Sequence, residues 1–191
     1  MTLRQKFLPL FAALGFVTLI YGLKLALSLA EIRLLINLTD SAPHGAYAVV
    51  PITELKKGTF IAFELPVSVR HELGPRPWLK DDALFIKPVG AIPGETVCVN
   101  DSEVKVANQY IGPVFTSDYL GLPLPKLRGC FKLKAEEVFP LSRYSERSFD
   151  GRYLGRLHRG DLLGEAYPLI TWSSSLSGWK PNSNSSGETF R

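Results

Sequence analysis

Cysteine is scarce in this chain, with Cys98 and Cys130 the two among 191 residues. Two thiols without Cys-x-x-Cys spacing do not make a zinc site. Histidine is scarce as well, at His44, His71 and His158. His71 and His158 stand beside Arg70 and Arg159 in polar stretches, and no cluster of metal ligands is apparent, so neither metal nor cofactor is expected. Charge of one sign is in short supply: 22 Lys and Arg against 18 Asp and Glu leave +4. No basic run interleaves with aromatics, which argues against a nucleic-acid partner. The excess reads as solvated surface, with attraction to anionic lipid as the alternative. Internal repeats are absent too, which excludes solenoids and arrays.

What is present is an apolar start and a turn-rich remainder. The length suits one compact domain plus a membrane segment. Hydrophobic content of 46%, with 16 Gly and 14 Pro, fits a globular domain built around turns. Residues Phe7 to Leu23 carry no charge and follow Arg4 and Lys6. That length is near the lower limit for a bilayer, and Lys24 can snorkel so that the helix continues to Ala30. The N-terminal positive charges favour a cytoplasmic N-terminus and an exported remainder. The competing readings are a signal peptide cleaved after Ser28-Leu29-Ala30 and a buried soluble helix. The resulting organisation is an anchor or signal segment over 1–30, a β domain over 31–172 and a disordered Ser, Asn and Gly-rich tail over 173–191. In an exported domain Cys98 and Cys130 form one disulfide; two buried free thiols are the alternative.

Beyond the apolar start, Glu31 to Leu38 has a helical flavour. The signals after it are nearly all β. Runs at 46–50, 59–63, 83–86 and 96–99 are β-prone and bounded by Gly, Pro, Asn or Asp. Asn100-Asp101 separates Val97-Cys98-Val99 from Val104-Lys105-Val106, which predicts a hairpin. Val67 to Leu73 is a weak helical candidate. The expectation is a mainly β, twisted antiparallel domain.

Two residues carry the chemistry. Ser41 lies in Asn37-Leu38-Thr39-Asp40-Ser41-Ala42-Pro43-His44-Gly45-Ala46-Tyr47, and Lys87 ends the apolar run Ala83-Leu84-Phe85-Ile86 before Pro88-Val89-Gly90. A serine hydroxyl is a poor nucleophile until a neighbour takes its proton. An ordinary lysine is protonated near neutral pH and cannot do so, but one desolvated among apolar side chains can. Bringing its pKa from ~10.4 to about 7.5 takes roughly 4 kcal/mol of differential environment. Taken alone, Ser41 is equally a polar turn residue and Lys87 a surface lysine at a strand end. A Ser-His-Asp arrangement would need one of the three histidines on Ser41, and His44 is too near in sequence.

Three segments in order resemble a known family. Asn37-x-Thr39-x-Ser41-x-Pro43-x-Gly45-x-Tyr47 resembles the nucleophile motif of TraF-type conjugal transfer peptidases, relatives of the bacterial type I signal peptidases. Phe85-Ile86-Lys87-Pro88-Val89-Gly90-Ala91-Ile92-Pro93-Gly94-Glu95-Thr96-Val97 looks like their lysine-base segment. Ser148-Phe149-Asp150-Gly151-Arg152-Tyr153-Leu154-Gly155 is similar to the third box, Ser-x-Asp-Ser-Arg-Tyr-x-Gly, and Lys57 to Phe63 is a weaker echo of a Gly-Asp-x-Val-x-Phe strand. The resemblance implies a signal-peptidase β fold, Ser41 as nucleophile and Lys87 as base. It also implies an oxyanion site from the Ser41 N–H and the Thr39 hydroxyl, with Ser148 orienting the amine. Asp150 and Arg152 would pair to hold their loop, or Asp150 would help position Lys87. Alternating positions from Asn37 to Tyr47, if extended, put Thr39 and Ser41 on one face, with Pro43 and Gly45 bending the chain to expose Ser41. The departures are the missing Gly-Asp-Asn-Arg run before the third box, Gly151 for serine, and Ala42 after the nucleophile. They favour the conjugal branch. The implied activity is a membrane-associated serine endopeptidase maturing an exported pilin for a conjugative type IV secretion system, possible other partners being proteins of that apparatus. Cyclisation of the pilin is one outcome of the acyl-enzyme. A general signal peptidase and a non-catalytic pilus-assembly module are the alternatives.

Overall fold

The computed structural model describes residues 3–80 and 83–172. The tail expected to be disordered, 173–191, lies outside the described residues. The chain divides into two compact units between Arg33 and Leu34.

The first unit is α1 (Leu3–Leu29), which runs unbroken through Lys24. Its 27 residues span about 40 Å at 1.5 Å per residue, more than the hydrocarbon thickness of a bilayer. Phe11, Leu14, Leu19, Tyr21, Leu25 and Leu29 are all exposed. Among the described residues this is the one helix long and apolar enough to cross a membrane. The Thr18 hydroxyl donates back to Leu14 O at 3.0 Å and Gly15 O at 2.9 Å, so the helix satisfies its own polar group.

The second unit is built on strands. A seven-stranded sheet runs in the order β1 (Arg33–Asn37), β2 (His44–Val50), β11 (Leu162–Trp172), β3 (Phe60–Glu64), β4 (Leu84–Ala91), β9 (Glu137–Pro140) and β10 (Leu157–His158). A four-stranded sheet runs β7 (Gln109–Pro113), β6 (Glu103–Val106), β5 (Thr96–Val99), β8 (Gly129–Lys132). The pairings from β2 through β10 and those of the smaller sheet are antiparallel. Two short helices, α2 (Val67–Leu73) and α3 (Gly151–Leu154), interrupt the strands. The expected hairpin forms between β5 and β6, closed by Asn100, whose Oδ1 accepts from the N–H groups of Ser102 and Glu103 at 2.9 Å each.

Glu31 to Leu38 corrects the sequence reading. It forms β1 instead of continuing a helix. Glu31 takes φ 54, a left-handed conformation that ends the helical path. The few residues left before the Thr39 turn are too short for a stable helix and pair with β2 instead.

Period-two alternation shapes the core. On β3, Ile61 and Phe63 face one apolar cluster with Val89, Val138, Phe149 and Tyr153, whereas Ala62 faces another with Tyr47, Val49, Ile86 and Ala166. Both faces of β3 are therefore buried. β4 lies beside it with Ile61 opposite Lys87, and pairs with β9 only from Val89 onward. Proline inside a sheet lacks a donor, and Pro88 stands where that loss is tolerated: its carbonyl still accepts from Leu141 N at 2.9 Å.

Cys98 and Cys130 face each other across β5 and β8 and are joined as a disulfide. The bridge closes a loop with a sequence separation of 32, including the turn-rich stretch from Val114 to Pro125. Replacing both with serine is expected to lower stability by roughly 3–4 kcal/mol through the freed unfolded chain. Urea denaturation of the double variant against the oxidised protein measures this; an unchanged midpoint would contradict it.

Candidate active site

Ser41 is held by a turn, not by a strand. Asn37, buried at the end of β1, organises that turn. Its amide donates to Thr39 O at 3.0 Å, Ala42 O at 3.0 Å and Pro43 O at 3.1 Å, while its Oδ1 accepts from Thr39 N at 3.2 Å and Thr39 Oγ1 at 2.8 Å. Tyr47 reaches back from β2 to donate to Pro43 O at 2.7 Å. The extended alternation expected over 37–47 is thus broken between Leu38 and Pro43, because carbonyls that a strand would pair are gathered onto one side chain. Thr39 and Ser41 nevertheless both line the same cleft. Ser41 is only 6% exposed, so it sits at the floor of that cleft and is not presented on a bend. Gly45 instead lies within β2, where a Cβ would collide with the Ile170 backbone of β11.

Lys87 projects from the interior of β4 and is 3% exposed. Its Nζ hydrogen-bonds Ser41 Oγ and, at 3.2 Å, Ser148 Oγ. Ser148 Oγ in turn donates to Ser41 Oγ at 3.2 Å, closing a triangle of two hydroxyls and one amine. The Phe85 ring lies 5.6 Å from Nζ. These three residues come from positions 41, 87 and 148 and meet only through the fold.

The third box acts as scaffolding around the triangle. Asp150 Oδ2 accepts from Ser142 N at 2.9 Å, and Ser142 Oγ donates to Ser41 O at 2.7 Å. Arg152 is the largest of the fully buried side chains among the described residues. It donates to Ser142 O at 2.6 Å, to Glu146 O, and to Pro113 O at 3.4 Å. Its Nε lies 3.4 Å from Asp150 Oδ1 as an ion pair without a hydrogen bond. The expected Asp150–Arg152 pair is present. Asp150 touches Ser142 and its own helix, with the Arg152 N–H at 3.2 Å capping α3. Gly151, which departs from the serine of the motif, has a packing reason: a Cβ there would collide with Pro140 O and the Phe139 ring.

Beside the triangle opens a cleft of about 220 Å³, walled by Trp78, Phe85, Phe115, Leu124, Phe149 and Tyr153. The His44 ring meets Asp40 at 3.0 Å, and His158 accepts from Gly160 N at 3.1 Å.

A family model described as signal peptidase, peptidase S26, matches residues 5–172. The chain belongs to this family. Two relatives named plasmid transfer protein TraF, both from Escherichia coli, are 30% identical over 149 residues and 29% identical over 150. Each match covers 72% of this chain and 82% of the relative. The resemblance read from the three boxes, to TraF-type members of the signal peptidase family, is borne out. A crystal structure of a signal peptidase I from Enterococcus faecalis also matches, at 18% identity and a TM-score of 0.34, covering 60% of this chain and 97% of that one.

In this peptidase S26 member the electrostatics of Lys87 follow from its burial. Desolvation pushes the amine down from 10.5 to about 8, opposed by the Asp150 carboxylate and aided by the Arg152 guanidinium. At pH 7 about a tenth of such amines are neutral, against roughly one in three thousand for an unperturbed lysine. The Thr39 hydroxyl is committed to Asn37 in this state and must rotate before it can serve an incoming oxygen. Asn37 stood in the nucleophile motif without a role assigned to it, and Ser142 was not singled out at all. A polar Asn closing an apolar run was the signal available for the first; Ser142 sits among ordinary loop residues and carried none.

Folding thus keeps Lys87 in a site that penalises its proton. Between pH 8 and 10.5 the unfolded chain holds more protons than the folded one, so the penalty is full below about 8 and fades as pH rises. The fall from 10.5 to about 8 corresponds to roughly 3 kcal/mol. Lys87→Met is expected to be more stable than the parent at pH 7, with the difference shrinking toward pH 10. Chemical denaturation at both pH values tests it; a less stable variant whose deficit ignores pH would contradict it.

Proposed function

We propose that this chain is a serine endopeptidase working by a Ser/Lys dyad, and that it matures a membrane-inserted pilin during conjugative plasmid transfer. The observation that carries the reading is the buried Ser41–Lys87–Ser148 triangle, in which an amine poised near neutrality touches a serine hydroxyl at the floor of a cleft. Lys87 accepts the Ser41 proton as Oγ attacks the scissile carbonyl, and returns it to the leaving amine. Ser148 holds the amine in line by its hydrogen bond. The Ser41 N–H, with the Thr39 hydroxyl rotated off Asn37, faces the developing oxyanion; such donors are worth about 2.7–4 kcal/mol each. The acyl-enzyme then passes to water, or to the substrate's own amine to give a ring.

Pilin maturation is supported by kinship with the two plasmid transfer proteins and by α1. A helix of bilayer length suits an enzyme whose substrate is itself in the membrane. On this reading the catalytic domain faces the periplasm from the inner membrane, where other proteins of the conjugation apparatus are its neighbours, and the disulfide fits that oxidising compartment.

Mass spectrometry of the candidate pilin in cells with and without Ser41→Ala tests the assignment. The variant is expected to leave the pilin unprocessed while remaining folded. Lys87→Arg is expected to be as inactive as Lys87→Ala, since a guanidinium stays protonated and cannot accept the Ser41 proton. The wild-type rate should rise with pH through about 8, as the lowered amine pKa requires. Processing by Ser41→Ala, or near-normal activity of Lys87→Arg, would overturn the dyad.

A further inference from the structure

The cleft beside Ser41 is apolar except for a few groups, and its charges are unequally satisfied. Besides Lys87 at the floor, the charged residues of its wall among the described residues are Asp118 and Arg147. Asp118 is fully engaged. Its Oδ2 accepts from Arg76 Nη1 at 2.5 Å and Trp78 Nε1 at 3.0 Å, and its Oδ1 from the N–H groups of Leu120 and Leu122 at 2.9 Å each. Burial pushes this carboxyl up, but the hydrogen bonds from Trp78, Arg76 and the two backbone N–H groups outweigh it and hold it at about 2. Arg76 is consumed by the same clasp, donating also to Leu73 O at 3.1 Å and Pro123 O at 2.5 Å. The clasp fixes Trp78 and the 115–124 stretch as a wall and leaves that wall no net charge to offer.

Arg147 is different. Its guanidinium lies over the Phe115 ring, 4.5 Å from the centroid, and it is exposed to the cleft mouth. No carboxylate among the described residues forms an ion pair with it. The aromatic face orients the fork without neutralising it. Its chain neighbour is Ser148, whose Oγ stands 3.2 Å from Ser41 Oγ. A permanently charged, bidentate donor is therefore held at the mouth of an apolar cleft, one residue along the chain from Ser148 of the triangle.

On the reading that Ser41 attacks a peptide bond, we propose that Arg147 is a specificity-determining residue that binds a carboxylate of the substrate peptide. Arg147 adjoins Ser148, whose Oγ is 3.2 Å from Ser41 Oγ, so at about 3.3–3.6 Å per residue of extended peptide this carboxylate lies a few residues from the bond attacked. The rest of the bound segment is apolar, to match the Trp78, Phe85 and Phe149 walls. The carboxylate is either an Asp or Glu side chain or the free C-terminus of the substrate.

The test uses the full chain in detergent micelles and a randomised peptide library made in two forms, free acid and C-terminal amide. Cleavage products are sequenced by mass spectrometry. For wild type we expect Asp and Glu enriched at one position near the cleaved bond in both forms, or a requirement for the free-acid form; either supports the proposal and says which carboxylate is bound. Arg147→Gln should flatten that preference, Arg147→Lys keep part of it, and Arg147→Glu turn it toward Lys and Arg. For a single acidic peptide, Arg147→Gln should raise KM between about three- and tenfold with kcat largely kept, the size of one partly exposed charge pair. A structural role for Arg147 would lower activity on all peptides alike without reversing the preference. Ser41-dependent cleavage with no acidic preference, or a preference indifferent to Arg147→Glu, would overturn this proposal and leave the peptidase reading standing. Cleavage that is absent, or unchanged in Ser41→Ala, would overturn both.

Discussion

The site depends on keeping one amine out of water. Lys87 occupies an interior position of β4, opposite Ile61, with apolar clusters on both faces of the neighbouring strand. A charged ammonium there loses its hydration and recovers two hydroxyl contacts, the face of the Phe85 ring and the field of the Asp150 carboxylate, which together do not replace it. Its proton is weakly held chiefly for that reason, and the Arg152 guanidinium weakens the hold further. A lysine displaced to the strand end would regain its ordinary pKa and could not take a proton from serine near neutral pH.

Holding the hydroxyls against that amine is the task of a second buried charge. Arg152 gathers carbonyls from Pro113 at the end of β7 and from Ser142 and Glu146 in the segment between β9 and α3. Through Ser142 the effect reaches the Ser41 carbonyl 101 residues away in sequence. Asp150 holds the same Ser142 by its N–H and caps α3, which sets Ser148 just upstream. Buried pairs of this kind seldom add net stability over apolar residues of equal volume, yet removing one partner commonly costs about 3–5 kcal/mol. Their value lies in the geometry they impose, and the proposed chemistry of Ser41 and Lys87 inherits it.

Much of this was legible in the sequence, and what was not has identifiable causes. The strands were readable because Val, Ile and Phe alternate between Gly, Pro and Asn, and those turn residues stop each run. The meeting of Ser41, Lys87 and Ser148 was legible only through three ordered motifs, since nothing local brings residues 41, 87 and 148 together. Glu31 to Leu38 misled because Leu-rich composition suits helix and strand equally, and a left-handed Glu31 decided between them. The turn at 38–43 misled because alternation implies an extended chain, whereas Asn37 draws three carbonyls to itself. The need for glycine at 151 was invisible, since it arises from Phe139 and Pro140 of β9 packing against the start of α3.

The central claim is that Lys87 is poised to hold and release a proton near neutral pH. The direct measurement is the titration of its own amine by NMR, with the Lys87 signal in isotope-labelled protein assigned by its loss in Lys87→Met. The account predicts a midpoint close to 8. A midpoint near the ordinary value of about 10.4 would contradict it, because a fully solvated amine has no means of activating Ser41.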